Sequence, residues 1–119
     1  MLKGLGCDVV EIRRVARGME NPRFLERVFT EGERLAIAHK GASTAAGLWA
    51  AKEAVSKALG AGFVGFSLQD IEILTDEEGA PHAYLHGGAQ ARLAALGALS
   101  IWVSISHDAG LAMAVAAAE

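Results

Sequence analysis

Very little in this chain serves to kink it or cross-link it. Two of its 119 residues are proline, one is cysteine, and aromatic residues make up 6%. The lone Cys7 excludes an internal disulfide, which fits a reducing compartment. No long apolar run is present. The longest, LAMAVAAA at 111–118, is far too short to span a bilayer. The opening MLKGLGCDVVEIRRV has no extended apolar core and soon turns charged, so no signal peptide and a cytoplasmic location are expected. A strong charge of one sign is also missing. The formal net charge of −3 is too mild to make nucleic acid the main partner.

What the chain does have is alanine and glycine. Its 52% hydrophobic content comes largely from alanine and fits a compact domain rather than a disordered segment. The length suits one domain, residues 1–119, and so short a chain gains burial by oligomerising. Charge is unevenly spread. Arg13, Arg14, Arg17, Arg23 and Arg27 are matched over their stretch only by Glu20 and Glu26. Asp70, Glu72, Asp76, Glu77 and Glu78 form an acidic run without a base. A basic segment on an acidic protein points to an acidic partner surface.

Alternation around Cys7 and Val9 predicts a first strand, with Asp8 on the face opposite Cys7. Ile12, Val15, Ala16 and Met19 then follow helical spacing, and Asn21-Pro22 breaks the element. Thr30 with Glu33 forms a capping box that opens a helix near Glu31. A second helix spans AGLWAAKEAVSKALG, 46–60, with Ser43 or Thr44 as its cap and Gly60 and Gly62 at its end. Leu68–Leu74 and Pro81–His86 read as antiparallel strands about a turn at Asp76–Gly79, followed by a short helix at Gln90–Leu96. Ile101, Val103 and Ile105 mark another strand, and a turn at 107–110 leads to the last. The expected class is α+β, an antiparallel sheet packed with helices.

Several side chains in this frame can carry chemistry. Glu53, Ser56 and Lys57 share one helix face, where spacing alone predicts a surface Glu53–Lys57 ion pair of about 0.3–0.5 kcal/mol. Asp8 lies in an apolar strand and needs a partner there: an arginine, a lysine or a metal ion. Asp8 and Glu53 together would suit Mg²⁺, which prefers oxygen and completes its shell with phosphates and water. His107 in SISHDAG is a phosphate donor, a proton-transfer group or a turn histidine, and Asp108 beside it can take a proton. GAGFVG, 60–65, matches neither a Walker nor a dinucleotide pattern, yet can curve round a phosphate after Lys57. His82 and His86 would suit zinc only on a helix, and Pro81 with the alternation there argues for a strand. Cys7 carries no catalytic-triad signature and is expected to be buried and structural.

The order of these pieces resembles holo-acyl-carrier-protein synthase, the small type of 4′-phosphopantetheinyl transferase. GLGCDVVEIRRV is similar to that family's opening strand, FTEGE to its second helix start, WAAKEAVSKALGAG to its central signature and SISHDAGLAMAVAAAE to its closing hairpin. The resemblance implies transfer of phosphopantetheine from coenzyme A to a serine of an acyl carrier protein, with release of 3′,5′-ADP. It implies Mg²⁺ held by Asp8 and Glu53, and a coenzyme A site that includes Lys57 and His107, with Gly60 and Gly62 beside it. It also implies a homotrimer with active sites between subunits, and docking of an acidic carrier helix on Arg13, Arg14 and Arg17. Glu53 acting through water, or Asp108, would serve as base. One position departs from the pattern. The family usually has an arginine just ahead of the aromatic Trp49, and here it is Leu48, with Lys40 or His39 as substitutes. A silent module that binds coenzyme A or carrier protein, and a metal-dependent phosphohydrolase, are the rival readings.

Overall fold

The alternation around Asp8 becomes β1 (Gly4–Glu11), and the change to helical spacing becomes α1 (Ile12–Gly18). The computed structural model describes residues 1–60 and 65–119. Pro22 starts α2 (Pro22–Val28) at a position where its missing N–H costs nothing, and the Asn21 side chain accepts from the Arg23 amide at 3.0 Å. Thr30 and Glu33 form the reciprocal capping box of α3 (Glu31–Lys40). A single residue, Gly41, separates α3 from α4 (Ala42–Leu59). Its φ of 91° is open only to glycine, and it turns the chain without any side-chain cap. The expected caps Ser43 and Thr44 therefore lie inside α4, because the glycine starts the helix earlier. Gly60 closes α4 in the left-handed conformation, φ 75°.

The rest of the chain supplies two antiparallel sheets. A 3-10 turn at Leu68–Asp70 takes the first part of the expected strand, so β2 covers only Ile71–Thr75 and pairs with β3 (Pro81–Leu85). The helix expected at Gln90 begins earlier, as α5 (Gly87–Ala95). β4 (Ile101–Asp108) runs through His107 and Asp108, so the turn shrinks to Ala109-Gly110 before β5 (Leu111–Ala118). β5 lies in the centre of the order β1-β5-β4.

α4 forms the spine, packed on β1, β4 and β5 and touching β2, α1 and α3. The sheet face toward it carries Gly6, Ala112, Ala114, Ala116 and Ala118, all buried, which lets the helix lie close. The other sheet face exposes Leu5, Val9, Trp102, Met113 and Val115. Among the described residues no helix is long and apolar enough to cross a membrane.

Candidate active site

The site begins with two glycines. A Cβ on Gly4 would lie 1.9 Å from the Ala58 carbonyl oxygen, and one on Gly6 would lie 2.1 Å from that of Ala54. The backbone of β1 thus rests directly on α4, and Asp8 is the next residue on the same face. Its Oδ1 lies 3.2 Å from Lys57 Nζ, which also donates to the Cys7 carbonyl at 2.9 Å. Lys57 takes this ion pair across the β1–α4 contact instead of the expected one with Glu53 four residues before it. The Cys7 carbonyl supplies the ammonium with a second acceptor. Cys7, expected to be buried, is exposed on the outer sheet face because the alternation sends it opposite to Asp8.

Glu53 is partly buried, and burial pushes its carboxyl above the ordinary range. The Asp8 charge pushes the same way, with Lys57 opposing. Asp8 and Glu53 line one cleft of about 420 Å³ together with Arg14, Val10, Phe24 and Trp49. Two carboxylates close enough to disturb each other beside a lysine form an acidic pair that a hard cation would relieve. Among the described residues no third acidic, histidine or cysteine ligand joins them. This donor set fits a magnesium ion that draws its remaining oxygens from phosphates and water.

A second pocket of about 440 Å³ shares no lining residue with the first. Lys40, Thr44, Gly47, Leu48 and His107 are part of its wall. His107 Nε2 donates to the Ser43 carbonyl at 2.9 Å, lying across the first turns of α4. Gly47 makes room for the ring, since a Cβ there would sit 2.9 Å from Nε2. Leu48 is buried in the same wall, so the basic side chains of this pocket are Lys40 and His107. An apolar wall with two basic groups suits a flat heterocycle carrying phosphate.

The remaining expected residues scatter. Asp108 follows His107 but points to the outer sheet face, away from the Asp8 side. Arg13 pairs with Glu11 at 3.6 Å, both exposed, while Arg17 is exposed in the last turn of α1. Gly60 caps α4, Gly62 lies outside the described residues, and His39 is exposed at the end of α3. His82 lies on β3 and meets Asp76 at 2.8 Å across the hairpin; the strand expected over Pro81–His86 holds through Leu85, and His86 instead is the N-cap residue of α5. Sequence reasoning missed one pair entirely. Lys52 and Glu33 form a fully buried ion pair, although Glu33 reads only as a capping residue. Capping explains one oxygen of Glu33, and no spacing rule links positions 33 and 52.

Known proteins resemble this chain over nearly its whole length. Residues 4–116 match the 4′-phosphopantetheinyl transferase superfamily. A holo-[acyl-carrier-protein] synthase of Solidesulfovibrio magneticus is 48% identical over 100% of this chain and 99% of its own. One of Alkaliphilus metalliredigens is 46% identical, over 99% of both. The crystal structure of the holo-[acyl-carrier-protein] synthase from Neisseria meningitidis superposes with a TM-score of 0.90 at 30% identity, over 100% of this chain and 99% of that one. The Helicobacter pylori enzyme in complex with coenzyme A gives 0.85 at 35% identity, over 97% and 99%. The chain belongs to the 4′-phosphopantetheinyl transferase superfamily. Within it, the similarity is to holo-[acyl-carrier-protein] synthases, and the protein is an enzyme of that transferase class.

Proposed function

We propose that residues 1–119 act as one transferase domain that moves 4′-phosphopantetheine from coenzyme A to a serine of an apo acyl carrier protein. The serine hydroxyl forms a bond to the β-phosphorus, the bond from that phosphorus to its bridging oxygen breaks, and 3′,5′-ADP leaves. The observation that carries this reading is the meeting of Asp8, Glu53 and Lys57 at one β1–α4 contact beside the Arg14 cleft. Asp8 and Glu53 would hold Mg²⁺. When bound, that ion supplies charge neutralisation and a template for the pyrophosphate. Lys57 places a positive charge on the same group, and positioning and charge stabilisation dominate phosphoryl transfer. Lys40 and His107 would take the nucleotide phosphate in the second pocket, in the role that Leu48 cannot fill.

The two pockets share no lining residue on one chain, and the outer sheet face exposes several apolar side chains. Both facts support a homotrimer in which one copy's Asp8 cleft faces another copy's His107 pocket. In that arrangement Asp108 of a neighbour, or Glu53 through water, removes the serine proton. Arg14 lines the cleft, and with Arg13 and Arg17 of the same helix it would form the docking surface for an acidic helix. The cytoplasm, where coenzyme A and carrier protein meet, is the expected location.

The test is to incubate the protein with Mg²⁺, coenzyme A and apo carrier protein and to weigh the carrier. A gain of one phosphopantetheine is expected, abolished by a chelator and by Glu53→Ala. No gain with a cognate carrier would sink the reading.

A further inference from the structure

Lys52 and Glu33 take no part in the chemistry above, yet neither side chain has any exposure. Every oxygen of Glu33 is used. Its Oε1 accepts from Lys52 Nζ and from the Thr30 amide at 2.8 Å, and its Oε2 accepts from the Ile73 amide at 2.8 Å. The Lys52 ammonium also lies 5.9 Å from the centre of the Phe29 ring. Phe29 meets Phe24 edge-on, and Phe24 packs on Trp49 of α4. The pair thereby ties the middle of α4 to the start of α3 and to β2.

Among the described residues the sheet side of α4 has no buried ion pair; its polar ties there are the half-exposed Lys57–Asp8 pair and the His107–Ser43 hydrogen bond. There Ala54 and Ala58 meet Gly4 and Gly6, and buried alanines of β5 complete the contact. Such a surface packs closely, but it has few projecting side chains to fix the helix's rotation about its own axis. A buried ion pair is a poor source of stability, and its best-attested use is to select one arrangement over others. Glu53, the next residue, lies about 100° further round the helix at ~3.6 residues per turn and faces Asp8.

We propose that the Glu33–Lys52 pair is the positioning element that fixes the rotation of α4, so that Glu53 and Lys57 meet Asp8. The proposal rests on the transfer reading only for its catalytic consequence; its geometry stands on the buried pair and the smooth helix–sheet contact. Lys52 and Glu33 act through Glu53 and touch no reacting atom.

The test compares the double variant E33Q/K52M with L93A, which truncates the buried Leu93 of α5 away from the pair. Labelling with 5-fluorotryptophan gives one ¹⁹F signal from Trp49 on α4 and one from Trp102 on β4. The Trp49 signal should move in the double variant and stay in place in L93A. Mn²⁺ binding, followed by electron paramagnetic resonance, should weaken about tenfold or more in the double variant, the usual cost of disturbing what orients a metal ligand. L93A should bind as the parent does. An unmoved Trp49 signal in the folded double variant, or equal weakening of Mn²⁺ in both, overturns the proposal. Should the double variant fail to fold, Lys52→Arg keeps the charge, displaces the anchoring atoms and is judged by the same criteria. A parent protein that binds no Mn²⁺ sinks the metal reading instead, and a crystal structure of the double variant then decides: α4 turned so that Glu53 leaves Asp8 upholds the positioning role, and an unturned helix overturns it.

Discussion

Glu53 is held where its charged form is least favoured. Burial, then Asp8, raises its carboxyl above the usual value, and Lys57 only partly offsets them. The folded protein therefore keeps a proton on Glu53 at pH values where the unfolded chain has released it. Stability from this group is present below the unfolded pKa of about 4.3 and is lost as pH rises through the folded value. Glu53→Gln should melt at a higher temperature than the parent at neutral pH, with the gap closing on acidification; thermal melts across pH check this. Gly6→Ala should act in the opposite sense. Its Cβ would overlap the Ala54 carbonyl, so it should cost about 1–3 kcal/mol and push Asp8 out of reach of Lys57. Urea titration and loss of transfer read the two effects. At this scale the need of Asp8 for a partner was legible, because a carboxylate in an apolar strand demands one, whereas its nearness to Glu53 was not, since no spacing rule joins β1 to α4. The partner of Lys57 was not legible. Helical spacing offered Glu53, and only the close approach permitted by Gly4 and Gly6 made Asp8 available.

Among the elements, α1 carries the partner argument. Arg14 lines the cleft and Arg17 stands exposed a turn further on, while Arg13 is shared with Glu11. Reversing the charge of Arg14 and Arg17 should raise the KM for carrier protein well above any change in the KM for coenzyme A, and the difference should shrink with added salt. Steady-state kinetics at two ionic strengths measure this, and equal effects on both substrates would count against docking on α1. α3 was readable to its first residue, because Thr30 and Glu33 write both halves of a capping box. The start of α4 was not readable. Ser43 and Thr44 are good caps on paper, but Gly41 had already made the turn. The same limit applies to β2, whose expected first residues are drawn into a 3-10 turn closed by Ser67 and Asp70. Local preference cannot show when a neighbouring residue has done the work first.

For the whole molecule, the α+β class followed from strand alternation and helix spacing, but the division into two sheets did not. β1 finds its partner far along the chain, in β5, and no short window of sequence reports that. The outer face of the larger sheet exposes Leu5, Val9, Trp102, Met113 and Val115. Val9→Glu with Met113→Glu places charge on two residues directly opposite each other across β1 and β5. Light scattering should then show a smaller species than the trimer expected of the parent, and transfer activity should fall with it. A variant that dissociates yet keeps full activity would argue against sites shared between subunits. The pairing of β1 with β5 also bears on how the molecule is made. Asp8 lies near the start of the chain, yet its strand has no partner until residues 111–118 exist, from Glu11 opposite Leu111 to Gly4 opposite Ala118. During synthesis the strand that holds Asp8 must wait, without a ladder partner, until β5 has been translated.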